Sequence, residues 1–137
     1  MATSFARLIK QKINKYVELL GIGDYKYKIN LVTKPCKSNE CSSSRAYATV
    51  EIDEETREVY MDIDKKLLMK NPKEIDRTLI HELLHVRFSE FLNFNYRIMR
   101  KYIKNKKARD AFDEQLELLE HKIIVSLTEA LNDNGKK

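Results

Sequence analysis

The residues of this chain whose types and spacing point to chemistry are two histidines and a glutamate in the run His81-Glu82-Leu83-Leu84-His85. On an α-helix, positions four apart differ by only about 40° in direction, so both imidazoles reach one metal ion from the same face. Glu82 projects beside them, where a carboxylate is set to take a proton from a water activated by the metal rather than to bind the ion. The surrounding run from Thr78 to Arg87 reads as helix, which is the context such a motif requires. The ordinary alternative is a pair of core histidines satisfied by hydrogen bonds. Metal-assisted hydrolysis is the stronger expectation, because three titratable groups on an otherwise apolar helix need partners and one ion satisfies them together.

Two histidines are an incomplete catalytic site, since zinc enzymes typically take three protein ligands and keep a fourth position for water. The last helical stretch, about residues 110 to 131, holds the donors left to supply the third: Glu114, Glu117, Glu120 and His121. At about 100° per residue, Phe112, Leu116, Leu119, Ile123, Leu127 and Ala130 define an expected inward stripe, and Glu120 lies nearest its centre. Glu120 is therefore the expected third ligand of one zinc ion. His121 stays open as the alternative because imidazole is a common zinc ligand.

Several elements must position these groups. Apolar residues recur at three- and four-residue intervals from Phe5 to Leu20, predicting an N-terminal helix stopped by Gly21. Tyr25 to Val32 alternates apolar with polar residues, as a half-buried strand does. Residues 46–52 and 58–63 predict a hairpin across Asp53-Glu54-Glu55-Thr56-Arg57. Lys65 to Lys70 reads as a helical turn. Asn71-Pro72 then predicts the start of the metal-bearing helix, expected over residues 72–92. Together these give an α+β fold: a small mixed sheet of three or more strands on an N-terminal helix, a buried active-site helix and a C-terminal ligand-bearing helix. A sheet this small has an exposed edge on which an extended peptide can add itself as a strand.

The chain has 137 residues, 42% hydrophobic and 34% charged, with three Gly and two Pro. That composition describes one folded domain over residues 1–137 with a frayed tail at 132–137, and excludes a disordered chain. The only cysteines, Cys36 and Cys41, lie in a polar loop with no second pair to complete a metal site, so free thiols are expected. No apolar run approaches the roughly 18 residues of a membrane span, and no leader pattern opens the chain, so a cytoplasmic, soluble protein is expected. Net charge is only +5, yet residues 97–109 hold Arg97, Arg100, Lys101, Lys104, Lys106, Lys107 and Arg109. They are read as a solvated connection, with weak nucleic-acid binding as the functional alternative. Oligomeric state is not legible.

With His81-Glu82-x-x-His85 on one helix and Glu120 on a following one, the chain resembles the gluzincin branch of zinc metallopeptidases over about residues 46–131. It looks most like their minimal single-domain members, the minigluzincins, and like small zinc peptidases of phages and archaea. Where that family has Glu-x-x-Ala-Asp, this chain has Ile123 and Ile124 after Glu120. The longer metzincin pattern is excluded, because no Gly or His follows His85 at its spacing. The resemblance implies a zinc metalloendopeptidase with a peptide or protein substrate and Glu82 as general base. Its minimal members also make a latent form conceivable, in which the chain is a non-catalytic zinc protein acting through a partner or nucleic acid. For the oxyanion, Tyr96, Tyr102, Arg97 and Arg100 are the available donors.

Overall fold

The structure, a computed structural model, describes residues 2–32 and 47–135; the expectation of free thiols at Cys36 and Cys41 lies outside them. Helix α1 (Ala2–Leu20) buries Phe5, Ile9, Ile13 and Tyr16 along one face. It ends where Gly21 adopts a φ of +68° and the Ile22 amide donates back to the Val17 carbonyl at 3.1 Å, the left-handed stop that glycine makes without a Cβ clash. Strands β1 (Lys26–Val32), β2 (Ala48–Asp53) and β3 (Glu58–Asp64) form a mixed sheet in the order β1-β3-β2. β3 pairs parallel to β1 and antiparallel to β2. Being central, β3 buries Val59, Met61 and Ile63 completely, and the alternation of their neighbours follows from the two-residue period of a strand.

In the β2–β3 turn the Asp53 carboxylate accepts from the Glu55 and Thr56 amides at 3.0 and 3.2 Å, and Arg57 takes a φ of +58°. Its guanidinium sits 4.1 Å from the Tyr25 ring centroid and reaches Asp24, Glu54 and Glu90. One cation thus ties the start of β1, the hairpin turn and the long helix above the site.

Helix α2 (Lys65–Lys70) is capped by Asp64, whose side chain accepts from the Leu67 amide at 2.9 Å. Asn71 does not cap the next helix as the Asn-Pro signal suggests. Its side chain donates to the Leu67 carbonyl at 3.0 Å and closes α2 instead. A 3-10 turn at Pro72–Glu74 then leads into α3 (Ile75–Tyr102).

Four expectations about the long helices need correction. The helix that carries His81 and His85 does not end near residue 92; α3 runs ten residues further, because Asn93–Tyr102 holds no Gly or Pro and keeps helical spacing. It is also not buried throughout: Ile75 to Val86 carry most of its core contacts, and beyond Arg87 only Met99 is buried. Finally, α4 (Lys106–Gly135) begins before Asp110 and continues through residues expected to fray. Its inward side is not the stripe of Phe112, Leu119, Ile123 and Leu127, which are 38–52% exposed. Ile124, Thr128 and Asn132 are buried in their place. The result is a mixed α+β molecule with four α-helices and a three-stranded sheet among the described residues.

Candidate metal centre

The packing of α3 between the sheet and α4 decides which of its faces meets the site. The α3 positions 82, 85, 89, 93 and 96 recur at three- and four-residue steps, so they form one line along the helix. They line an open cleft of about 420 Å³ whose roof is β2, through Ala48, Thr49, Val50 and Ile52, and whose far wall includes Glu120 of α4. β2 is an edge strand. Among the described residues, no strand pairs with the outer edge of β2, which runs above the line of polar groups.

The two histidines come together as their spacing requires. The rings of His81 and His85 are 5.2 Å apart, edge to face. Glu120 reaches across from α4, its Oε1 3.3 Å from His85 Nδ1. His121 stands on the site's margin, exposed, its ring 6.2 Å from that of His81. Glu120, the expected third ligand, thus turns inward at the centre of the α4 contact face, and the reason differs from the apolar-stripe argument. The stripe is rotated away by roughly one residue, about 100°, and Glu120 and Ile124 take its place.

Burial sets the protonation states. It pushes the Glu82 carboxyl up to about 7, and no described residue offers that carboxylate a hydrogen bond or ion pair. Burial, with His85 and His121 nearby, holds His81 below the ordinary histidine range. Burial and His121 do the same for His85. Both imidazoles are therefore neutral at pH 7 and keep a lone pair for a ligand. Glu120 is raised by burial and by Glu117, with His121 opposing.

Among the described residues, no group of three His, Cys, Asp or Glu has side chains already closed around a common point in the manner of a metal site. The donor set nevertheless suits zinc. Two ligands bound at about 2.0–2.2 Å in a tetrahedral arrangement lie roughly 3.3–3.6 Å apart, and the 3.3 Å between His85 and Glu120 meets that spacing. Two neutral imidazoles and one carboxylate are also the His2Glu complement of a catalytic rather than a structural site.

Of the oxyanion candidates, Tyr96 lines the cleft with Glu82, His85 and Glu120. Burial and the charges of Glu117, Asp113 and Glu120 raise its pKa, which keeps its hydroxyl a donor. Tyr102 is 67% exposed, and Arg97 and Arg100 are exposed outside the cleft lining. Two cleft residues escape a motif-based reading, Ser89 and Asn93. Their signal is the helical line through Glu82 and His85, extended by one and two turns. Ser89 also hydrogen-bonds Glu54 of the hairpin turn.

No family model, curated protein or solved structure matches this chain.

Proposed function

We propose that this chain is a zinc-dependent metallopeptidase that hydrolyses peptide bonds in the cleft between α3, α4 and the edge strand β2. The observation that carries the reading is the half-buried Glu82 carboxylate, which has no hydrogen-bond or ion-pair partner among the described residues and stands beside His81 and His85 at a point where Glu120 arrives from another helix. Desolvation that raises the pKa of a carboxyl costs stability at neutral pH, and such a cost is retained where the group has chemical work. His81, His85 and Glu120 would hold the ion, which supplies an acidified water and a Lewis acid for the scissile carbonyl.

The chain's own residues do the rest. An extended peptide pairs with the free edge of β2, which lays its backbone along the α3 line. Glu82 takes a proton from the attacking water and returns it to the leaving amine, a role suited to a carboxyl with a pKa near the working pH. Tyr96 donates a hydrogen bond to the carbonyl oxygen as negative charge develops there.

Purified protein should carry one zinc per chain and cleave a broad peptide pool in a chelator-sensitive way. Glu82→Gln should keep the zinc and lose cleavage. Zinc lost in that variant, or cleavage retained, rejects the assignment.

His121 favours a second reading, a zinc protein that does not turn over. It stands beside His81 on the same side of the site, and a fourth protein ligand would close the position that water needs. His121→Ala separates the two: activity gained in the variant supports closure by His121, and activity unchanged supports the open site.

A further inference from the structure

Away from the cleft, helices α1, α3 and α4 converge on a second concavity of about 480 Å³, with the turn at Pro72 on its rim. A space of that size lies in the range of small-molecule sites. From α4 it receives Asn132, which is only 8% exposed and whose side chain lines the pocket. The Asn132 amide makes no hydrogen bond with any described residue. A primary amide carries two donors and an acceptor oxygen, and a polar group this deeply buried is seldom left without a partner. Its partner therefore belongs to what fills the pocket.

The other walls give the charge of that occupant. Lys12 and Lys15 stand one turn apart on α1, and Lys73 stands in the turn that leads into α3. Asp76 is the single carboxylate in the lining. Its Oδ1 accepts from Lys12 Nζ at 2.8 Å and from the Tyr16 hydroxyl at 2.6 Å, so Asp76 and Lys12 neutralise each other against the wall. Lys15 and Lys73 are exposed and form no ion pair among the described residues. The nearest other acids on α3 and α4, Glu74 and Glu129, are both held by Arg77. Glu18, one turn beyond Lys15, is exposed and closes no ion pair with it. Three lysines against one aspartate leave the lining with a surplus of two positive charges.

We propose that this pocket binds a small phosphate compound. A phosphate monoester carries close to two negative charges at neutral pH and three strong acceptor oxygens, which matches the two uncompensated lysines. Lysine serves phosphate as a point charge, and the Asn132 amide is left to take a phosphate oxygen or a hydroxyl of the group that carries it. A monocarboxylate would meet half of this charge. A nucleic-acid backbone is met by many cations spread along its length, whereas these converge on one hollow. None of the residues lining this pocket lines the cleft, so the proposal does not rest on the metallopeptidase reading.

Amide chemical shifts of the full chain test it, with glycerol 3-phosphate, inorganic phosphate and glycerol as probes at near-physiological salt. Glycerol 3-phosphate should bind with a Kd below about 1 mM and move amides at residues 12–16, 73–76 and 132, while glycerol should move none. Tighter binding of the monoester than of inorganic phosphate identifies a monoester, equal affinity identifies the free ion, and either upholds the site. Lys15→Gln and Lys73→Gln replace exposed side chains, so the fold should stay intact while each Kd rises at least about fivefold. Asn132→Leu should weaken binding as much, and without ligand it should melt no lower than wild type, because it removes an unsatisfied buried amide at similar volume. No shift at roughly 10 mM probe, shifts centred on residues 97–109, or a Kd unchanged in both lysine variants overturns the proposal. A single-stranded oligonucleotide that displaces the probe with a steep salt dependence also overturns it and gives the lysines to nucleic acid.

Discussion

Glu82 titrates as an ordinary carboxyl in the unfolded chain, near 4.5, and at about 7 in the folded one, because burial disfavours its charged form. The folded state thus holds this proton more tightly. Its contribution to stability is complete below about pH 4.5, declines between 4.5 and 7, and is gone above 7. Glu82→Gln removes the buried charge, so in chelator the variant should melt above wild type at pH 8, by a stabilisation on the order of 1–3 kcal/mol. Near pH 4 the two should melt together. Scanning fluorimetry at both pH values checks this, and a variant that melts below wild type at pH 8 would refute it. A second prediction concerns Tyr96. If it stabilises the oxyanion, Tyr96→Phe should lower kcat by about 10²–10³ with KM little changed, while Tyr102→Phe, outside the cleft, should match wild type. The grouping of His81, Glu82 and His85 is legible in the sequence because four-residue helical spacing alone brings them together. Ser89, Asn93 and the choice of Tyr96 over Tyr102 depend on which way α3 is rolled against the sheet, and no local pattern encodes that.

The elements themselves are largely legible where period and punctuation agree. Gly21 stops α1, strand alternation marks β1 and β3, and Pro72 opens the turn into α3. Legibility fails where the two long helices meet, since no Gly or Pro marks the end of α3 or the start of α4 and each helix carries more than one apolar line. On α4 the line richest in large apolar residues is not the inward one. Hydrophobicity alone would bury Leu119 and Ile123; the structure buries Ile124 and Thr128 and brings Glu120 to His85. Ile124, fully buried, is therefore the residue that seats α4 against the core. Ile124→Ala should cost about 2–5 kcal/mol in denaturant unfolding. Phe112→Ala should stay within about 0.5 kcal/mol. Equal costs would mean that α4 is rolled the other way, and that Glu120 does not face His85.

At the scale of the molecule, one apolar core joins α1, α3 and the inner face of the sheet, with Ile124 of α4 buried in it. A chain of this size with such a core folds without a metal staple. Chelation should accordingly abolish cleavage and lower the melting temperature while leaving the helical circular dichroism in place; loss of that signal would make zinc a folding requirement. No helix among the described residues is long and apolar enough to cross a membrane. Arg57 has the widest reach of any single side chain here, and its position sets two effects against each other. Glycine at 57 would release the left-handed backbone, worth about 1 kcal/mol. It would also cut the ties to Asp24, Glu54 and Glu90 and the stacking on Tyr25. The two effects oppose each other, so Arg57→Gly should melt within a few degrees of wild type. It would still unfasten the β2–β3 turn from α3 and let the jaws of the cleft drift apart. KM for extended peptides should rise while thermal stability barely moves, a lesion that stability screens pass over in silence.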